Sequence, residues 1–264
     1  MCSSDLTAGE RIVAAGAAAT EILWDIGAAE EIVGVDATSS HPPEALASKP
    51  NVGYFRRLSA EGLLSLGPTL VVAVGGAGPR EVLDLVARSG VRVETIDDDW
   101  TEAGVADRID RIGAVVGRQA RAHDLSERVR AEFADLARAR GAMAVHPRVL
   151  FVLTLTNGRP LVAGHGTAAD AMIGLAGGTN VATGFDGYKA MTDEAIVAAA
   201  PEVVVSMRDG PGNLTADDVF QSPAFSTTPA ALRRRFVALD GAGLLAFGPR
   251  TPSIARELME RLSR

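Results

Sequence analysis

Tyrosine occurs at only two positions in this 264-residue chain, Tyr54 and Tyr188, and each lies just ahead of one copy of a repeated stretch. Ser59-Ala-Glu-Gly-Leu-Leu-Ser-Leu-Gly-Pro-Thr-Leu-Val-Val-Ala-Val74 returns as Thr192-Asp-Glu-Ala-Ile-Val-Ala-Ala-Ala-Pro-Glu-Val-Val-Val-Ser-Met207. A duplicated unit implies two similar lobes with a cleft, and phenols at both copies point to that cleft as the working site. Other chemistry is sparse. Three of the four histidines, His41, His123, His146 and His165, have no carboxylate or nucleophile at a spacing that suggests a triad. Cys2 is the only cysteine, which excludes a disulfide framework and a CxxC metal site. Asp97 to Asp99 could hold a metal, although a solvated turn fits them better. Gly75-Gly-Ala-Gly78 lacks the G-x-G-x-x-G spacing and the lysine of a phosphate loop, so it reads as a lining loop of the cleft.

The elements that must hold these residues alternate. Arg11 to Gly16, Ile32 to Asp36, Leu70 to Val74 and Val91 to Ile96 are short apolar strands, with helices over Ala17 to Gly27 and Arg80 to Ser89. Strands alternating with helices predict a parallel sheet covered on both faces. In each repeat copy, Ser59 or Thr192 can cap a helix that a proline ends before a buried strand. Apolar residues Val105, Ile109, Ile112 and Val116, then Leu125, Val129, Phe133 and Leu136, recur at helical spacing. They predict one long helix, or two with a break near His123-Asp124. After it, Arg148 to Leu153, Thr167 to Leu175, the repeat and Phe236 to Leu239 rebuild the plan. A polar stretch from Arg208 to Ser226 precedes that last strand, and a terminal helix runs from Pro252 to Arg264. The fold class is α/β, with two similar Rossmann-like lobes of mostly parallel sheet joined by one long helical crossover. The expected divisions are a flexible N-terminus (1–10), a first lobe (11–100), a linker helix (101–141) and a second lobe (147–264).

A formal net charge of −7 argues against a nucleic-acid binder, which would carry a basic face. No apolar run approaches the roughly 20 residues of a membrane span, and the first residues lack the basic start and apolar core of a signal peptide. Cys2 is either an inert thiol or the lipidated first residue of an exported lipoprotein whose signal has been replaced by Met1.

Gly53-Tyr54-x-Arg56 leading into Leu58-Ser-Ala-Glu-Gly62, with Ala163-Gly-x-x-Thr-Ala-Ala-Asp-Ala-Met172 and Gly177-Gly-Thr-Asn180, resembles the periplasmic haem-binding proteins of bacterial haem ABC importers. The similarity runs from Arg11 to the C-terminal helix. The family belongs to the substrate-binding proteins with a helical crossover, which agrees with the linker. The resemblance implies that Tyr54 ligates haem iron. A phenolate is a hard ligand suited to Fe(III), but free tyrosine has a pKa of about 10, and a cation such as Arg56 would stabilise the anion. Arg57 and Lys189 are candidates for haem propionates, and His41 lies in a first-lobe loop toward the expected cleft. Tyr188 is a second axial ligand, a stacking wall or a hydrogen-bond donor to a propionate.

Some members carry a second-ligand histidine as Val-Leu-Phe-Val-x-x-His. This chain reads Val149-Leu-Phe-Val-Leu-Thr-Leu155, so His–Tyr ligation in that form and stacked double-haem loading are not implied. His165 is the alternative histidine. Glu61 and Glu194 occupy identical repeat positions. First-turn glutamates suit the helix dipole, and the resemblance adds docking on arginines of the permease, one acid per lobe. The expectation is therefore a monomeric, periplasmic, non-enzymatic protein with haem as transported ligand. Its only membrane link would be the importer or a lipid on Cys2. Alternatives are a siderophore or cobalamin binder on the same scaffold, or a two-lobed enzyme acting on a nucleotide or sugar.

Overall fold

The computed structural model describes residues 9–209 and 214–264; Cys2 lies outside them. The chain forms two compact units. The first holds the sequence up to Asp99 and Ala103–Arg128, the second Trp100–Glu102 and Val129–Arg264.

In the first unit, strand β1 (Ile12–Ala15) leads through Gly16 into helix α1 (Ala17–Asp25), then β2 (Ile32–Val35) and α2 (Pro43–Ser48). Helix α3 (Ala60–Leu64), strand β3 (Leu70–Val74), helix α4 (Arg80–Arg88) and strand β4 (Arg92–Ile96) follow. The strands form a parallel sheet in the order β2-β1-β3-β4. All five residues of β3 are buried, as expected for a strand covered on both faces.

The crossover consists of two helices, α5 (Glu102–Val115) and α6 (Gln119–Gly141). The break falls at Val116-Gly117-Arg118 rather than near His123-Asp124. Gly117 takes φ +68, and Arg118 N donates to Gly113 O at 2.7 Å while Gly117 N donates to Ala114 O at 3.3 Å. That pairing closes a helix end with a left-handed glycine. Gly113 lies against Ala122, where a methyl would collide, and Ser126 Oγ donates to Asp110 Oδ1 at 2.8 Å, so the two helices pack side by side. The apolar residues predicted to repeat are otherwise buried, with Val116 partly exposed beside the break. The boundary between the units falls inside α6, between Arg128 and Val129.

The second unit contains β5 (Arg148–Thr156), β6 (Arg159–Ala163), α7 (Ala168–Leu175), β7 (Thr179–Asn180), β8 (Tyr188–Ala190), α8 (Asp193–Ala199) and β9 (Val203–Met207). After these come α9 (Ala216–Phe220), α10 (Pro229–Leu232), β10 (Phe236–Leu239), α11 (Gly241–Leu245) and α12 (Thr251–Leu262). Short helices α9, α10 and α11 were not expected from the sequence; each starts at a capping residue, Thr215, Thr228 or Asp240. Strands β7, β5, β9 and β10 pair in parallel in that order, the counterpart of β2-β1-β3-β4.

One feature has no counterpart among the described residues of the first unit. Beyond Phe151, β5 continues and pairs antiparallel with β6, which pairs antiparallel with β8. Asn157 and Gly158 make the turn with φ 51 and 76. Asn-Gly with both φ positive is the favoured two-residue hairpin.

The repeat is real in structure. Ser59 Oγ accepts from Gly62 N at the start of α3, and Thr192 Oγ1 accepts from Ala195 N at the start of α8. Strands β3 and β9 occupy matching repeat positions. Ser59→Ala and Thr192→Ala are each expected to cost about 1 kcal/mol. The losses should add, because the caps share no partner; chemical denaturation of the single and double variants measures both.

Candidate functional site

In an open parallel sheet, ligands bind beyond the carboxyl ends of the strands, where the strand order reverses. In the first unit that point lies between β1 and β3. Four segments meet there or beside it: Gly16, Tyr54–Arg57, Gly75–Gly78 and Asp97–Asp99.

The end of β2 is fixed by Asp36, a fully buried carboxylate. Its Oδ1 accepts from Gly16 N and Ser39 Oγ, both at 2.9 Å. Its Oδ2 accepts from Thr38 N and Thr38 Oγ1. A carboxylate with this many donors is held in one place, and burial costs it little. Alongside β2, Val35 bridges Asn51 in parallel, Val52 N donates to Val35 O and Ala37 N donates to Gly53 O at 2.8 Å. These bonds carry the chain to Tyr54. Past Tyr54, Gly78 N donates to Phe55 O at 2.9 Å and Leu58 N to Gly78 O at 2.8 Å, while Leu58 is buried in the core. Tyr54 is thus clamped on both sides, yet its side chain is 45% exposed and its ring packs edge-on against Phe55.

Arg56 is placed differently from the sequence expectation. Among the described residues no hydrogen bond joins it to Tyr54. Its guanidinium carbon sits 4.8 Å from the centre of the Phe55 ring and its Nη1 lies where a side chain on Gly76 would stand. Asp98 occupies the equivalent space at Gly75, its Cγ only 2.5 Å from where a Cβ would be. The two glycines are therefore where an acid and a base approach the backbone, which is a reason for Gly-Gly that involves no phosphate. Asp98 Oδ1 pairs with Arg108 Nη2 at 3.2 Å, with the arginine side chain buried. Burial pushes the Asp98 carboxyl above the usual carboxylate range, against the pull of Arg108 and then Arg56. Arg108 is lowered by burial, opposed by Asp98 and Asp99. Both partners shift toward neutrality, so desolvation outweighs attraction in this pair. Asp97 to Asp99 are exposed after the end of β4, as the solvated-turn reading expects, and Asp98 adds a contact to the buried Arg108. Among the described residues no group of three metal-ligating side chains converges.

Arg57 is exposed, and its guanidinium makes no ion pair or hydrogen bond among the described residues. His41 is half-buried in the loop after β2.

In the second unit, Gly164 N donates to Gly187 O, His165 N to Phe185 O and Gly187 N to His165 O. This pairing sets His165 beside the start of β8, where Tyr188 stands opposite Ala163. His165 Nδ1 is 3.7 Å from Asp170 Oδ2. Asp170 Oδ1 in turn accepts from Asn180 Nδ2 at 2.8 Å, so one residue of the Gly177–Asn180 motif braces the loop. Lys189 pairs with buried Val162 and its Nζ lies 5.6 Å from the centre of the Phe185 ring. Register therefore puts it on the opposite face from Tyr188. Leu155 packs against the core cluster of Leu150, Val152 and Val204. His123 lies within α6, and His146 Nδ1 lies 2.8 Å from Gly177 O. Glu61 and Glu194 are exposed in the first turns of α3 and α8.

Residues 12–242 match the family described as periplasmic binding protein. The periplasmic heme-binding protein BhuT, solved with two hemes, is 40% identical with a TM-score of 0.92, over 97% of this chain and 98% of that one. The periplasmic heme-binding protein RhuT from Roseiflexus sp. RS-1, in apo form, is 36% identical with a TM-score of 0.92, over 97% and 98%. A vitamin B12-binding protein of Yersinia pestis is 25% identical over 199 residues, 75% of this chain and 69% of its own length.

Gly75→Ala is expected to destabilise the first unit by about 1–3 kcal/mol, because its methyl would meet both the Asp98 carboxyl and the Asp98 backbone nitrogen. Gly53→Ala, in open space at φ +91, should cost only about 1 kcal/mol from backbone strain. Urea denaturation ranks the two, and equal losses would show that position 75 is not crowded.

Proposed function

We propose, because the chain belongs to the periplasmic binding protein family, that it is the extracytoplasmic component that captures haem and delivers it to an ABC importer. The observation that carries this reading is Tyr54. It is an exposed phenol with no hydrogen-bond partner among the described residues, on backbone clamped at Gly53, Phe55 and Leu58. A ligand held this way binds iron without first being ordered.

Ferric haem brings its own positive charge, which favours the phenolate. Arg56 is held nearby by Phe55 and the Gly76 turn, and Arg57 presents an uncommitted fork of donors suited to a carboxylate. Tyr188 and His165 share one corner of the second unit and are the candidates for the second axial position, with His41 a further contact from the first. The family is one of binding proteins, and BhuT and RhuT bind heme, so haem is the cargo of this protein and undergoes no reaction on it. The protein acts as a monomer, and Glu61 and Glu194, equivalent by repeat, dock on cationic residues of the permease.

Purified protein titrated with haemin should show a Soret band and the visible charge-transfer features of a tyrosinate–Fe(III) complex. Tyr54→Phe is expected to remove those features and weaken binding by at least about tenfold. An unchanged spectrum would overturn Tyr54 as ligand. Tight binding of cyanocobalamin with no haem spectrum would favour the activity named for the Yersinia relative instead.

Glu61→Ala and Glu194→Ala should leave haemin affinity unchanged. In reconstituted importer vesicles they should lower stimulation of ATP hydrolysis, the double variant most. Full stimulation by the double variant would remove the docking assignment.

A further inference from the structure

The antiparallel addition to the second sheet has an outer face that none of the residues discussed so far explains. Register fixes its composition. Thr154 stands opposite Leu161 and Thr156 opposite Arg159 across β5 and β6, while Leu161 stands opposite Ala190 and Ala163 opposite Tyr188 across β6 and β8. Directly opposed residues share a face, so Thr154, Thr156, Arg159, Leu161, Ala190 and Tyr188 lie on one surface. The first five of these, with Asn157, line an open hollow of about 600 Å³.

The chemistry of that surface is uneven in a useful way. Its middle is apolar and low, Leu161 beside Ala190. One end carries the aromatic ring of Tyr188. The other carries Arg159, an exposed cation whose guanidinium makes no ion pair or hydrogen bond among the described residues. Along β6, Arg159 and Ala163 are separated by about 13–14 Å at the rise of a strand, and three adjacent strands present a width of about 10 Å. The Asn157-Gly158 turn, with both φ positive, sets Thr156 opposite Arg159 at the rim. Lys189, the other cation on this ribbon, faces the opposite side and lies over Phe185. A flat apolar body with a carboxylate at its edge is the ligand that such a surface complements.

We infer that this face is the second unit's wall for the porphyrin and that Arg159, rather than Lys189, receives a haem propionate. The inference rests on the haem-binding reading above. Leu161 and Ala190 meet the macrocycle, and the two threonine hydroxyls are further donors for the carboxylate. Among the described residues the first sheet has no such ribbon.

The test compares haemin with its dimethyl ester, in which the propionate charge is gone, on wild type, Arg159→Ala, Arg159→Lys and Lys189→Ala. Arg159→Ala is expected to weaken haemin roughly 10- to 100-fold, to leave ester affinity within about twofold of wild type, and to keep the Tyr54 charge-transfer bands. Arg159→Lys should recover part of the loss, and Lys189→Ala should bind as wild type does. Equal haemin affinity for wild type and Arg159→Ala overturns the assignment while leaving the haem-binding reading intact. An equal loss for haemin and ester, with unchanged thermal unfolding, also overturns it, because the arginine then does not act on a propionate. If wild type gives no haem spectrum, both readings fall.

Discussion

Asp98 and Arg56 come within contact distance of the backbone at Gly75 and Gly76, and the arrangement around Tyr54 depends on that approach. A side chain at either position would push the acid or the base away from the carboxyl end of β3. Without them there, the turn after β3 would lose the groups that pack over it, and Phe55 would lose the guanidinium stacked on its ring. Because Phe55 and Leu58 are bonded to Gly78, the short helical turn that positions Tyr54 is tied to this same loop. Two absent side chains thus reach a phenol with which neither makes contact.

The Asp98–Arg108 pair joins the turn after β4 to α5. Burial moves both partners toward their neutral forms. The pair fixes position. Arg108 projects from α5 and is buried; it reaches the Asp97 carbonyl as well as the Asp98 carboxylate. The turn after β4 is thereby located by a helix that belongs to the crossover. Asp36 plays the same part at the end of β2 with full hydrogen-bond satisfaction, so the loops beyond the sheet are pinned at both flanks.

Much of this was legible in the sequence because parallel strands covered on both faces leave strong signatures. Leu70–Val74 and Phe236–Leu239 form at the predicted limits, and the caps at Ser59 and Thr192 follow from residue type and spacing. Tyr54 and Tyr188 stand out through rarity and their place ahead of the two repeat copies, and Tyr54 also through the Gly53-Tyr54-x-Arg56 motif. What escaped has identifiable causes. The expected break in the crossover lies at polar residues, but the residue that ends the helix is Gly117, whose positive φ stops it more firmly than His123 or Asp124 could. The Asn157-Gly158 hairpin interrupts a lobe expected to repeat the plan of the first, although Asn-Gly between apolar runs is a strong local signal. Arg56 was assigned to Tyr54 by proximity in sequence. The two are separated by Phe55, and the Arg56 guanidinium lies over the Phe55 ring and beside Gly76 instead.

The hairpin also accounts for how two copies of one unit came to differ. Strand β1 stops at Ala15, since Gly16 turns the chain at φ +125 against the side chain of Val74 and donates its N–H to Asp36. Strand β5 meets no such stop. It runs on to Thr156, and the freed edge of its second half must pair with something, because an unpaired edge so close to the core is costly. β6 supplies that pairing, and β8 extends it. The first unit is left to present side chains from loops beyond its strands, where Tyr54 and Arg57 project singly. The second presents a sheet face, where Leu161, Ala190, Tyr188 and Arg159 lie in fixed register. Duplication preserved the core order of the strands, and a single uninterrupted strand was enough to give the two copies different surfaces.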